Sequence, residues 1–314
     1  MNALSFTQSE HTRAEVLRFI EQSLNSASWA TNTQAISHLK QMTTEHVLFQ
    51  HPILTRLHQC QLSLEQLKFI HLNYFTAIVK IFTDALSMVM YQALQLEHDS
   101  NIVEQDRIAA KIYARYLLSL NLLDELGFNT HQLEKSSPSK SHLVYFLQLM
   151  QQLELNVTDQ KQTEPEAFAI AQFIQEHIHS YADLLLILAC TELQVIKFSE
   201  ALRTNLAAYH PLFTQGYYAC HGLAETCDTT LANDDNHEDD IWVLFTQCYK
   251  PEQALYFQQL QTEYLSLWNN FLEQDEFGIK LNLNLNLVQN GILKLGKIIQ
   301  FIHEKPCWNK YCSQ

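Results

Sequence analysis

The sequence is poor in the residues that form tight turns. It has 6 glycines and 6 prolines among 314 residues. All-β and α/β proteins need many such turns, so their scarcity argues against both classes. Apolar residues instead recur at spacings of three and four along most of the chain. We therefore predict an all-α protein of about ten helices. The two-residue alternation from Leu281 to Leu287 is interpreted as an extended lead-in to a last helix.

Positive charge is also scarce. The chain has 20 lysines and arginines against 34 aspartates and glutamates, a formal net charge of −14. Such a surface repels a phosphate backbone, which excludes nucleic acid as an expected partner.

Signals for export, disulfide formation and membrane insertion are missing. The first ten residues do not combine a cationic start with an apolar core, and no uninterrupted apolar run approaches the length that spans a bilayer. Seven cysteines, an odd number without a framework spacing, indicate free thiols in a reducing compartment. We expect a cytoplasmic protein with no membrane association.

Hydrophobic residues make up 47% of the chain, enough for a large core. We predict one helical domain (45–275) with an N-terminal helical arm (1–44) and a C-terminal helical extension (276–314). The polar stretch from Ser26 to Thr33 looks like a linker between the arm and the domain. A homodimer is compatible with this organisation.

Local signals define the first core helices. Ser63 and Gln66 have the spacing of a capping box, which predicts a long helix from there to about Gln95. A second helix ends at Gly127, which can adopt the left-handed conformation that closes a helix. Glu125 then lies at a helix C-terminus, where the helix dipole disfavours a carboxylate unless a positive charge, such as a metal ion, compensates it.

Two further candidates follow along the chain. Ser141 can cap a helix that begins with His142. A very apolar helix predicted from Ala167 to about Ala208 carries Glu192 directly after a run of core-type residues. An ionised carboxylate there is costly unless it is coordinated or paired. The cations available to pair with it are Arg115, Lys197 and Arg203.

A third group lies after Gly216. His221, Glu225 and Asp228 occupy positions i, i+4 and i+7, which would place them on one face of a predicted helix. That arrangement suits metal ligands, although an exposed polar face has the same spacing. The acidic segment from Asp234 to Asp240 is predicted to be a solvated loop.

The order of these motifs resembles the haem-oxygenase-like diiron oxidases, also called iron-containing redox enzymes. The similarity covers 45–275 and rests on the segments 121–127, 141–143, 191–192 and 217–225. It implies a haem-oxygenase-like helical bundle that binds two Fe(II) ions and uses O2 as co-substrate to oxidise a small organic metabolite. The implied metal ligands are Glu125, His142, Glu192, His221, Glu225 and Asp228.

Two of these ligands depart from the family's His-x-x-x-Asp-x-x-His triplet. Glu225 stands where aspartate is usual, and Asp228 stands where histidine is usual. Four carboxylates would balance the charge of two divalent ions, which makes a harder site. Such a site could favour manganese, hold one ion or have lost its metal. His237 and Cys227 are the candidate substitutes for the missing histidine.

Two other functions remain open from the sequence. The first is a cofactor-free enzyme resembling the thiaminase-like or quinone-cofactor-biosynthesis branches of the same fold, with Cys220 or Cys227 as the nucleophile. The second is a non-catalytic helical binding protein with a degenerate metal site.

Overall fold

The computed structural model describes residues 12–129, 132–158, 163–221 and 234–273, without the side chains of 234–236. These residues are helical and contain no strand, which confirms the all-α prediction. All of them belong to one compact unit, Met1–Glu273. The predicted C-terminal extension, 276–314, and its alternating segment lie outside the described residues. The α-helices are α1 (Thr12–Gln22), α2 (Ser26–Glu45), α3 (Pro52–His58), α4 (Leu64–Tyr74), α5 (Phe82–Gln92), α6 (Arg107–Glu125), α7 (His142–Gln152), α8 (Pro165–Glu176), α9 (Tyr181–Ala207), α10 (Tyr217–Cys220), α11 (Asp234–Cys248) and α12 (Ala254–Leu272).

The stretch predicted as a linker is the beginning of α2. Asn25 caps this helix by accepting a hydrogen bond of 2.9 Å from the Ser28 backbone N–H. Buried Asn32 donates to the carbonyls of Thr246 and Tyr249, at the end of α11. The linker prediction was wrong because this stretch is helical: Asn25 caps the helix and Asn32 binds another helix, while Ser26, Thr31 and Thr33 lie on its exposed side.

The capping box at Ser63 and Gln66 is present and begins α4 as predicted. The helical path continues through a π-helical turn, Phe75–Val79, into α5. The whole stretch Leu64–His98 is long and apolar enough to cross a membrane, and 56% of its most apolar window is buried inside the protein. The sequence prediction overlooked this candidate span. Burial of this kind is also typical of a core helix.

Helix α9 lies at the centre of the bundle. Its N-terminal two thirds are almost entirely buried, and α3, α5, α11 and α12 pack around it. The helix predicted from Ala167 to Ala208 is divided into α8 and α9 by a break at 177–180. Ser180 caps the start of α9 by accepting from the Asp183 N–H. Glu192 therefore lies near the middle of the central helix.

The acidic segment that begins at Asp234, predicted to be a loop, forms the start of helix α11. Carboxylates are favoured near a helix N-terminus. Asp240, farther along the helix, is 4% exposed, and its two oxygens accept hydrogen bonds from the Arg13 guanidinium of α1 at 2.6 and 3.1 Å. The loop prediction was wrong because it treated the segment as solvated. The partner of Asp240, Arg13, is 227 residues away, so no local pattern indicates the pairing.

Candidate metal centre

The end of α6 presents Glu125 to the interior. Gly127 has φ +81°, and its carbonyl accepts a hydrogen bond of 3.0 Å from the Ser137 N–H. A Cβ at Gly127 would lie 2.4 Å from the Ser137 carbonyl oxygen. The loop that follows α6 therefore passes directly against Gly127, and only a residue without a Cβ leaves room for it. This close approach brings the start of α7 next to Glu125.

His142 is the first residue of α7, and Ser141 caps the helix as predicted. The Nδ1 atom of His142 lies 2.9 Å from Oε1 of Glu125. Glu125 is 7% exposed and His142 is 4% exposed. Two elements that adjoin in sequence therefore form a buried carboxylate–imidazole pair.

His221 completes a group of three. Its ring centroid lies 4.5 Å from that of His142 and 4.4 Å from that of Tyr217. One ligand atom from each of Glu125, His142 and His221 lies within 4.8 Å of the others. Ligand atoms about 2.1 Å from a common ion are separated by about 3 to 4 Å. These buried residues therefore form a group that could hold a metal ion.

The backbone at His221 differs from the prediction. Helix α10 ends at Cys220, and His221 follows with φ −106° and ψ 125°, an extended conformation. His221 therefore ends a short helix and does not begin a helical face. Glu225 and Asp228 lie outside the described residues, so their membership of the site stays a prediction.

Glu192 lines the same cavity as Glu125, His142 and His221 and is 5% exposed. Its Oε1 accepts a hydrogen bond of 2.7 Å from the Asn121 amide, one turn before Glu125 on α6. None of the three cations proposed as alternatives lines the cavity, and the Arg115 guanidinium donates to the carbonyls of Met90 and Tyr91.

The pKa of His142 reflects this environment. Burial alone would lower it, but the Glu125 carboxylate and the Cys220 thiol outweigh burial and place the pKa of His142 well above its usual value. The site therefore stabilises positive charge at His142, as expected for an imidazole beside a carboxylate.

Asp124 and His237 extend the cluster beyond the predicted ligands. Asp124 Oδ2 lies 3.9 Å from His142 Nε2 and 3.7 Å from His237 Nε2. From the sequence, His237 was predicted only as a substitute for the missing histidine of the triplet. A signal was present in the sequence: Asp234 precedes His237 by three residues, the spacing of the last two triplet members in the diiron oxidases that the sequence resembles.

The remaining wall of the cavity is apolar. The free volume of the cavity is about 20 Å³, which is room for about one water molecule. The π-helical turn contributes Ile78 and Val79, and such turns are frequent at functional sites. The described lining contains no lysine or arginine. The other lining side chains are Phe82, Leu143, Val195 and Tyr217.

Comparison with known proteins finds no matching family model and no matching curated protein.

Proposed function

We propose that the protein is a non-haem, metal-dependent oxidoreductase of the haem-oxygenase-like diiron class, which uses O2 to oxidise a small organic molecule. The observation that carries the proposal is the buried group of Glu125, His142 and His221. Membership of this family and the detailed bundle topology are part of the proposal. The motif order in the sequence supports both.

The donor set fits a divalent first-row ion. Two imidazoles and a carboxylate, with Glu192 beside them, are the ligand types that suit Fe(II) and Mn(II). Glu125 and Glu192 together supply the two negative charges that balance one such ion. A bound Fe(II) centre would supply electrons for the reduction of O2. A second ion would depend on Glu225 and Asp228, or on Asp124 and His237.

The other residues orient the ligands and exclude water. When one nitrogen of His142 binds metal, the other ring N–H can donate to a carboxylate, and such contacts fix the ring orientation. Asp124 lies on the Nε2 side of that ring. The apolar wall limits the cavity to about one water molecule, which protects a reactive centre from bulk solvent.

Metal titration tests the proposal. Apo protein is titrated anaerobically with Fe(II), and with Co(II) as a spectroscopic probe, and O2 consumption is then measured. We expect at least one tight equivalent, which is lost in Glu125→Gln and His221→Gln and retained in the exposed control His58→Gln. Binding of less than one equivalent, with Glu192→Gln behaving like the wild type, would refute the proposal. A second equivalent lost in Asp228→Ala or His237→Gln would identify the second position.

One observation favours a second candidate, the cofactor-free enzyme. The Cys220 thiol contributes to the raised pKa of His142, and Cys220 is partly exposed. A cysteine beside an imidazole is a common arrangement for a nucleophile. Selective alkylation of Cys220 and the Cys220→Ser substitution would then abolish activity without any metal requirement. Retained activity in Cys220→Ser would exclude Cys220 as the nucleophile, and retained activity in Cys220→Ser combined with Cys227→Ser would exclude this candidate.

A further inference from the structure

The cavity of the metal centre is small as well as buried. Its free volume is about 20 Å³, whereas sites for organic ligands usually measure about 300 to 1,000 Å³. One ligand atom from each of Glu125, His142 and His221 lies within 4.8 Å of the others, so an ion would lie between them. A further ligand of that ion therefore has at most the space of about one water molecule.

Val195 forms the wall beside Glu192. The two residues are three positions apart on α9, so their side chains lie on the same face of the helix. Both line the cavity, and Val195 is 6% exposed. A valine side chain in a helix has one strongly preferred rotamer. Val195 therefore does not easily rotate away to admit a larger ligand.

A second wall comes from the π-helical turn between α4 and α5. A π-helical turn contains more residues than an α-helical turn, and here two consecutive residues, Ile78 and Val79, line the cavity. They are 2% and 7% exposed. Helix α8 packs against this turn. Because protein interiors are close-packed, that contact holds the second wall in place.

The cavity offers an organic molecule few polar contacts. Apart from the candidate metal ligands and Tyr217, its described lining is hydrocarbon and contains no lysine or arginine. The ring of Tyr217 packs 4.4 Å from the ring of His221. A ligand that approaches the ion is therefore selected by its size rather than by charge or hydrogen bonding with the wall.

We propose that the metal centre admits, beside the ion, only a ligand about the size of O2, and that Val195 and Val79 set this limit. An organic substrate is thereby kept out of the coordination sphere of the metal. This inference rests on the proposed function, because it needs a bound ion. It adds the residues that determine which ligands reach that ion.

A competition between two ligands tests the proposal on the full chain loaded anaerobically with Fe(II). Nitric oxide and imidazole both bind iron through nitrogen and are both largely uncharged at pH 8, so they differ mainly in size. The absorption of the nitric oxide complex is the measurement. We expect nitric oxide to bind the wild type, and imidazole at tens of millimolar not to compete. In Val195→Ala, imidazole should lower the apparent affinity for nitric oxide about tenfold or more, since methyl groups in an apolar pocket have effects of this size.

Three further variants make the test decisive. Val47→Ala, at a position that is 61% exposed, should behave like the wild type. If Val195→Ala does not fold, as judged by circular dichroism, Val79→Ala replaces it with the same expectation. Val195→Ile fills the cavity, so it should retain Fe(II) but bind nitric oxide about tenfold more weakly.

The outcomes separate this inference from the proposed function. Competition by imidazole in the wild type, or its absence in both Val195→Ala and Val79→Ala, would overturn the size limit and leave the metal site intact. If the wild type does not bind Fe(II), the proposed function fails and this inference fails with it.

Discussion

The carboxylate of Asp124 lies 3.7 Å from the imidazole of His237, which joins the end of α6 to the start of α11. The same oxygen lies 3.9 Å from the Nε2 atom of His142. An imidazole on α11 therefore lies beside the cluster. It is nine residues beyond Asp228, the position where the diiron oxidases that the sequence resembles have histidine.

The first prediction concerns this contact. Replacement of His237 by glutamine should lower the affinity for Co(II) by about 10- to 100-fold, because groups that support or replace a metal ligand commonly have effects of this size. The measurement is a titration followed by the visible absorption of Co(II). His58→Gln, exposed and remote in sequence, serves as the control. Identical titration curves for the two variants would show that His237 only packs against Asp124.

The second prediction concerns Asn121. The Asn121→Leu variant removes the amide that donates to Glu192, so the free energy of unfolding of the metal-free protein should fall by about 1–3 kcal/mol. Saturating Co(II) should recover part of this loss, since a metal ion also interacts with the carboxylate. Asn270→Leu, exposed on α12, provides the control in urea unfolding. A loss that metal leaves unchanged would argue against coordination by Glu192.

The third prediction concerns Gly127. Alanine there would combine a positive φ with a Cβ that clashes with the Ser137 carbonyl, so unfolding free energy should fall by at least about 2 kcal/mol. Because the same approach positions His142, the variant should also bind metal more weakly. Ser139→Ala, exposed in the same loop, should change neither property. Chemical unfolding and Co(II) titration of the pair check both effects.

The fourth prediction concerns pH. Burial lowers the pKa of His71 to about 4, although its backbone hydrogen bond to the Leu67 carbonyl opposes this shift. Between about pH 6.5 and pH 4 the unfolded chain binds a proton that the folded chain does not, so stability falls as the pH falls. His71 should account for about 2 kcal/mol of the stability lost between pH 7 and pH 5.

Urea unfolding at these two pH values, with His71→Gln beside the wild type, measures that contribution. Glutamine keeps an acceptor for the Tyr218 hydroxyl, which lies 2.7 Å from the His71 Nε2 atom. The variant should show a pH dependence smaller by about 2 kcal/mol. If the free energy of unfolding of the variant falls as steeply between pH 7 and pH 5 as that of the wild type, the acid sensitivity belongs to other groups.

Features set by neighbouring residues were predictable from the sequence. The capping box at Ser63, the closure of α6 at Gly127 and the cap at Ser141 depend on residues within one helical turn. The burial of Glu192 followed from the apolar residues before it. Glu125 and His142 flank one loop, and the local signals at Gly127 and Ser141 placed both residues correctly at their helix ends.

Features that depend on distant contacts were not predictable in the same way. The polar start of α2 is stabilised in part through Asn32, which binds carbonyls more than 200 residues away. The acidic segment from Asp234 to Asp240 looked like a loop because Arg13, the partner of Asp240, is 227 residues away in the sequence. His237 was undervalued because only the folded chain brings α11 beside Asp124.

The Arg13–Asp240 ion pair also bears on the order of folding. Helix α11 carries His237, and it packs on α1 as well as on α9. During synthesis, this contact can form only after more than 200 residues beyond α1 have left the ribosome. Because contacts of such long range form slowly, newly made chains should spend time with the candidate metal residues accessible to water.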